Sequence, residues 1–223
     1  MAQPWMLDEL AHAGPEHLDA DFVAGFDRKQ GWPDPSADLA LLEGHTVVDL
    51  GAGTGQFALA AARRFERVVA VDVSPAMLAV IAAAGSPNVE CVQAGFLTYE
   101  HRGEPADAVF ARHALHQLPD FWKAIALHRI AGMLRPGGLL RLRDLIYDFQ
   151  PDETEAALQE WFDHAATDPE AGYTRDDLAE HVRTEHSTFR WLLEPMLATA
   201  GFDVLDVRFT GRVFGAYTCQ KRA

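Results

Sequence analysis

The stretch Val47-Val48-Asp49-Leu50-Gly51-Ala52-Gly53-Thr54-Gly55 (VVDLGAGTG) places an acid near the end of a β-branched apolar run and then turns through three alternate glycines. Glycine lets the backbone adopt left-handed conformations and approach a ligand where any Cβ would block it. The dinucleotide fingerprint, G-x-G-x-x-G, requires a glycine at position 56. Gln56 stands there instead, so the spacing is G-x-G-x-G. A pyrophosphate disfavours a carboxylate beside it, whereas a ligand carrying an ammonium favours one. Further on, a second apolar run ends in Val71-Asp72-Val73. An acid at such a strand tip can accept from both ribose hydroxyls of a nucleoside.

Working outward, short β-branched runs alternate with helical patterns, the mark of an α/β domain with a mostly parallel sheet. Strands are predicted at 45–50, 67–73, 88–93, 106–112 and 139–145, and helices at 55–65, 75–84 and 120–134. Ser74-Pro75 opens the second helix as an N-cap followed by proline in the first turn. Leu134-Arg135-Pro136-Gly137-Gly138 stops the third and turns the chain into the fifth strand. After residue 145 the alternation lapses into acidic amphipathic helices at 152–165 and 174–186 and a more apolar one at 189–200. Two final runs, 202–210 and 212–220, are separated only around Gly211 and pair as an antiparallel hairpin. The expected fold is therefore a Rossmann-like, seven-stranded α/β sheet, five strands parallel and the last reversed, with helices on both faces and a helical lid. It reads as one domain in four parts: an N-terminal helical lid segment (1–44), an α/β core (45–147), a lid insertion (148–190), and a C-terminal helix and hairpin (191–223).

The 223 residues carry a net charge of −14, which is unevenly spread. Residues 1–44 hold nine acids and two bases, and residues 148–190 twelve and three, whereas 45–147 hold nine and ten. Such a balance speaks against phosphate-backbone partners, whose binding rests on clustered Lys and Arg, and against anionic membrane surfaces. Both acidic segments are the predicted lids, which favours neutral or cationic ligands over anionic ones. The two cysteines, Cys91 and Cys219, are too few for a disulfide scaffold or a zinc site of the usual spacing. The opening MAQPWMLDELAHAG lacks the basic and apolar regions of a secretory signal, and no apolar run approaches a membrane span. A reduced, cytoplasmic protein is expected.

The glycine loop, Asp72, the Ser-Pro-x-Met-Leu that follows it, ARHALHQLPD (111–120) and MLRPGG (133–138) together resemble the class I S-adenosylmethionine (SAM) dependent methyltransferases, in particular those acting on small molecules. The resemblance spans residues 45–145, and the terminal hairpin fits that family's reversed last strand. It implies SAM as cofactor, with the loop residues Gly51, Ala52, Gly53 and Gly55 against its methionine part and Asp49 near its ammonium. Asp72 is implied at the ribose, Val73 and Met77 at the adenine, and Arg112 in the cofactor site. Arg28, in the lid, reads either as solvent-exposed or as a partner for the SAM carboxylate. Where family members often carry an acid that accepts from the adenine amino group, this chain has Gly95, so adenine recognition is expected from backbone groups of Gly95 and Phe96 plus stacking.

Methyl transfer from a sulfonium requires mainly an aligned nucleophile and exclusion of water, and a base only where the acceptor is protonated. Residues 111–114 read Ala-Arg-His-Ala rather than the Asn-Pro-Pro-aromatic motif of certain amino methyltransferases. Neither cysteine follows the fourth strand, as in cytosine-C5 enzymes, and the acid cluster of cation-dependent catechol methyltransferases is missing. The candidate acid–base groups are His113 and His116, with Asp144 and Tyr147 after the fifth strand; His113 reads as shaping the cofactor pocket, either histidine as a base or an acceptor-orienting group, and simple packing or a surface position is the remaining reading. No third ligand is evident for a metal at His113 and His116. His181 and Glu185, one helical turn apart beside His186, read as a solvated helix face, a substrate contact or a metal pair, and no resident metal is expected. Trp5, Phe22, Phe26, Trp32, Trp161, Phe162, Tyr173 and Trp191 gather in the lids, as packing or as the wall of an apolar acceptor pocket. The expected activity is methylation of an O or N atom of a small-molecule acceptor, neutral or cationic, by a monomer or homodimer. Protein or RNA methylation and a non-catalytic SAM-binding role are the alternatives.

Overall fold

The computed structural model describes residues 4–30 and 33–223. Five strands run parallel: β1 (Thr46–Leu50), β2 (Arg67–Asp72), β3 (Val89–Gln93), β4 (Ala106–Arg112) and β5 (Leu134–Tyr147). A short β6 (Thr188–Phe189) pairs with the end of β5, and the hairpin β7 (Phe202–Thr210) and β8 (Phe214–Lys221) closes the sheet. The order is β3-β2-β1-β4-β5-β8-β7, with β8 antiparallel to both its neighbours. The sheet thus has eight strands rather than the seven expected. Two-residue β6 carries no periodicity of its own; its pairing with Ile146 and Tyr147 defines it.

Helices α1 (Glu9–His12), α2 (Ala20–Lys29) and α3 (Ser36–Leu39) precede the sheet; α4 (Gln56–Ala61), α5 (Pro75–Ala83) and α6 (Asp120–Met133) are the crossovers. Then come α7 (Thr154–Phe162), α8 (Arg175–Thr184) and α9 (Arg190–Ala200). The Ser74 side chain accepts from the Met77 amide at the start of α5, and Gly201, at φ +100°, ends α9. Strand β5 begins earlier than the sequence predicts, at Leu134, because a bulge carries the MLRPGG turn inside it: Ala106 pairs with Leu134, but Ala108 with Leu139.

Alternation along β1 splits its side chains between two cores. Val48 and Leu50 join Val109, Leu127, Ile130 and Leu197 on the α6/α9 face. Val47 joins Phe57, Ala58, Ala70 and Ile81 on the α4/α5 face. A strand buried on both faces, as parallel strands are, reads as a continuous apolar run, so Asp49 stands out within it. Because β1 has β2 on one side and β4 on the other, the crossovers part there and leave a crevice at the carboxyl ends, where open α/β sheets bind ligands.

The two acidic segments lie against one another. Lys29 Nζ sits 3.5 Å from Asp177 Oδ1, Gln30 Nε2 donates to the Tyr173 hydroxyl at 2.6 Å, and Arg28 pairs with Glu170 at 3.1 Å. Cys91 and Cys219 are free thiols on β3 and β8, which are separated in the sheet. Among the described residues, no helix is long and apolar enough to cross a membrane.

One buried acid ties the N-terminal segment to the sheet. Asp38 in α3 accepts from Arg141 Nε and Arg143 Nη1, both at 2.8 Å. Removing it strands Arg141, itself buried, without its counter-charge. Asp38→Ala is therefore expected to lower the unfolding free energy by about 3 kcal/mol, measured by urea denaturation. A loss below about 1 kcal/mol, the range of exposed pairs, would show that solvent replaces the carboxylate.

Candidate active site

The crevice at the carboxyl ends of β1, β2 and β4 opens into a cavity walled by the glycine loop, the end of β2, the segment after β3 and the N-terminal lid. Among the sequence-predicted residues, Asp49, Gly51, Ala52, Gly53, Asp72, Val73, Met77, Gly95, Phe96, Arg112 and His113 all line it. Gly55 does not line it but shapes the loop. At φ +86° it starts α4, and an added Cβ would lie 2.6 Å from Ile81. Gly51 is equally confined, since a Cβ there would lie 2.4 Å from the Ala114 Cβ. Around Gly53 the cavity is open: a Cβ added there would find its nearest neighbour, a ring carbon of Phe26, 3.7 Å away.

Gln56, which breaks the dinucleotide fingerprint, has a structural task. Its amide donates to Asp27 Oδ1 at 2.7 Å, and the Thr54 hydroxyl donates to the same oxygen. The loop thereby anchors α2 over the cavity.

Two carboxylates stand side by side at the strand ends. Asp72 accepts from the Gly53 and Ser74 amides, both at 2.8 Å, yet burial still holds its carboxyl above the ordinary range. Asp49 is buried more completely, and burial together with Asp72 raises it to about 8. Its Oδ2 has no hydrogen-bond partner among the described residues, and neither has the buried Nε of Arg112. Burying a polar atom unpaired is costly, so the Asp49 carboxyl and the Arg112 guanidinium, which both line the cavity, favour a ligand that brings an ammonium and a carboxylate. An α-amino acid group carries both. Burial and the neighbouring Arg143 push the Arg112 guanidinium down.

The segment after β3 departs from expectation. The Gly95 amide donates to Thr98 Oγ1 at 2.8 Å, the Leu97 amide to Glu9 Oε2 at 3.1 Å, and the Phe96 amide also serves Glu9. The backbone donors of Gly95 and Phe96 are thus committed within the protein. Glu9, on α1, fills the space that a side chain at 95 would take: a Cβ there would lie 2.3 Å from its Oε1. Burial raises the Glu9 carboxyl, which lines the cavity. Sequence reasoning missed Glu9 because 86 residues of chain separate it from Gly95; the only signal was the empty position itself.

The two candidate histidines part company. His113 lines the cavity at a left-handed φ of +48°, a conformation in which non-glycine residues cluster at functional sites. Its amide donates to the Arg143 carbonyl at 2.9 Å, and burial lowers its imidazole to about 4, so the ring is neutral at pH 7. His116 lies outside the cavity lining. Its Nδ1 is 2.5 Å from Asp144 Oδ1 and its Nε2 2.7 Å from Glu185 Oε2. Burial opposes charge on this ring, but the two carboxylates prevail and raise it to about 9. With both nitrogens engaged, His116 has none to offer an acceptor. Asp144 is taken up by His116 and the Leu145 amide, and Tyr147 is buried against Phe149 and Phe189.

Arg28 is exposed, pairs with Glu170 and does not line the cavity. Of the lid aromatics, Phe26 lines the cavity. Trp161 packs on Phe214 and His181, Phe162 on Trp161, Trp5 on Trp122 and Trp191 on Phe189. Trp32 and the Phe22 side chain lie outside the described residues.

A profile described as a methyltransferase domain matches residues 47–138. An uncharacterized methyltransferase of Geobacillus kaustophilus is 26% identical over 192 residues, covering 80% of this chain and 86% of that protein. Another, YrrT of Bacillus subtilis, is 28% identical, covering 75% and 72%. Among solved structures, a SAM dependent methyltransferase from Aquifex aeolicus shares the fold at TM-score 0.61 and 20% identity, covering 91% and 98%. The DhpI–SAM–HEP complex does so at TM-score 0.67 and 21% identity, covering 98% and 99%.

The protonation of Asp49 gives a direct test of the site. The folded, ligand-free protein retains a proton that the unfolded chain has lost between the ordinary carboxyl pKa, 3.8, and about 8. Stability contributed by this group therefore falls as pH rises through that window. Thermal melts from pH 5 to 8 should show Asp49→Asn with a flatter decline than the parent and a higher midpoint at pH 8. Parallel pH profiles would mean that Asp49 is ionised in the fold.

Proposed function

We propose that the chain is a class I SAM-dependent methyltransferase and that it transfers the methyl group to an oxygen or nitrogen atom of a small-molecule acceptor, neutral or cationic. The observation that carries the proposal is the pair of buried atoms unpaired among the described residues, Asp49 Oδ2 and Arg112 Nε, on two residues that line the same cavity as Gly53. These groups fit a bound amino-acid moiety, Asp49 toward its ammonium and Arg112 toward its carboxylate. The loop backbone of Gly51 and Ala52 lies alongside. Asp72 then takes the ribose hydroxyls, while Val73, Met77 and Phe96 enclose the adenine. Glu9 supplies, from the lid, the acceptor for the adenine amino group that the chain lacks at position 95. When bound, SAM provides a methyl group on a cationic sulfur, already activated toward displacement.

The chain's own contribution is to orient and to exclude water. Asp27, held by Thr54 and Gln56, keeps α2 over the loop. His113 presents a neutral imidazole at the cavity wall, able to accept from an acceptor O–H or N–H and so align its lone pair. Among the described residues, five carboxyl groups line the cavity (Glu9, Asp27, Asp38, Asp49 and Asp72) against the single guanidinium of Arg112. That balance supports an uncharged or cationic acceptor and disfavours nucleic acid. The two free cysteines fit a reducing, cytoplasmic setting.

Calorimetric titration with S-adenosylhomocysteine, followed by a methyl-transfer assay across neutral, cationic and anionic small acceptors, tests the reading. Turnover is expected with a neutral or cationic amine, phenol or alcohol. Tight cofactor binding without turnover on any acceptor would favour a non-catalytic role, and a polyanionic best substrate would overturn the acceptor class. Glu9→Ala should weaken S-adenosylhomocysteine about tenfold, the worth of a hydrogen bond to a charged group. Unchanged affinity would remove Glu9 from the adenine site. His113→Ala should lower kcat on the best acceptor by about 100-fold, as misaligned reactants do, with cofactor affinity held within about twofold.

A further inference from the structure

His181 and Glu185, one turn apart at the end of α8, meet His116 from the 3₁₀ turn after β4, and one ligand atom from each lies within 4.8 Å of the others. We propose that His116, His181 and Glu185 form a binding site for a first-row divalent transition metal, with zinc(II) as its leading occupant. The site lies outside the cavity lining, so the proposal is independent of the acceptor assigned above.

The geometry of the rings supports it. His116 is held through Nδ1 by Asp144 at 2.5 Å, which aims Nε2 at Glu185 Oε2, 2.7 Å away. His181 is held through Nε2 by the Ser187 hydroxyl at 2.8 Å, which aims Nδ1 at the same oxygen, 3.3 Å away. Each imidazole is thus fixed by one nitrogen and directed by the other, as metal-bound histidines are, and a carboxylate behind the ring is their commonest orienting partner. Around a tetrahedral zinc with bonds near 2.1 Å, neighbouring ligand atoms stand about 3.4 Å apart. The His181–Glu185 separation already meets this, rotation of the half-buried Glu185 side chain can open the other, and the ion displaces to solvent the proton that His116 Nε2 holds toward Glu185.

Two imidazoles and one carboxylate select zinc, cobalt, nickel or iron(II) over calcium and magnesium, which take all-oxygen shells, and over copper(I), which prefers sulfur. Trp161 packs edge-on against His181 and shields one side. Gln117, whose amide reaches Glu185 at 2.9 Å, also lines the cavity. An ion here would fasten α8 to the turn that carries Gln117 and follows His113, two residues of the cavity wall.

The full chain, stripped with EDTA and dialysed, is titrated with zinc sulfate by calorimetry and with cobalt(II) by visible absorption. One ion per chain is expected, with intense cobalt d–d bands and a raised thermal midpoint. His181→Ala should weaken zinc more than about 100-fold and Ser187→Ala about tenfold, both variants still binding S-adenosylhomocysteine as evidence of folding. Should His181→Ala fail to fold, X-ray absorption on the zinc-loaded parent decides, with two imidazole nitrogens expected. Failure to bind a stoichiometric ion, zinc affinity unaltered in folded His181→Ala, or a spectrum without two imidazoles would overturn the proposal.

Discussion

A carboxyl group buried near the end of the central strand, one of its oxygens without a partner among the described residues, is the constraint around which the site is arranged. Asp49 has Asp72 as a neighbour, which adds repulsion to the cost of burial and holds its proton to about pH 8. A sequence selected for stability alone would put an apolar residue there, as at the other interior positions of β1 and β2. The acid is tolerable because the surrounding sheet is apolar on both faces and because it lines the cavity together with the glycine loop. Local instability is thus held in place by the cores above and below it.

The lids solve a different problem. Their acidic excess looks like a global property in the composition, but in the fold it is divided among specific tasks. Asp38 bridges Arg141 and Arg143, Asp27 is gripped by the glycine loop, Glu9 occupies the space beside Gly95, and Asp177 meets Lys29. These contacts place carboxylates from the N-terminal segment on the cavity wall while tying that segment to the insertion. The His116–Asp144–Glu185 chain does the equivalent on the other side, joining β5 to α8 through a buried imidazole.

Much of the fold was legible because its signals are local. The β-branched runs of β1, β2 and β4, the Ser74-Pro75 helix start and the turn at Gly211 each depend on a few adjacent residues, and their bounds agree within about two residues with the structure. Two exceptions among the strands share one physical origin. Strand β6 exists by pairing alone, and the early start of β5 rests on a bulge against Ala106. Neither leaves a period in the sequence for a reader to find.

The same division holds for the site. The glycine spacing and the acids at 49 and 72 lie in one continuous β-α-β unit, so the sequence by itself determined the fold class and pointed to the cofactor and to the loop proposed to receive it. Only the tertiary structure could decide which distant side chains complete the site. It brought Glu9 to Gly95, turned Arg28 away to Glu170, and set His113 on the cavity wall. It also committed His116 to two carboxylates and to a meeting with His181. Those outcomes depend on separations of tens of residues closed by packing, where side-chain identity is visible in the sequence but direction is not.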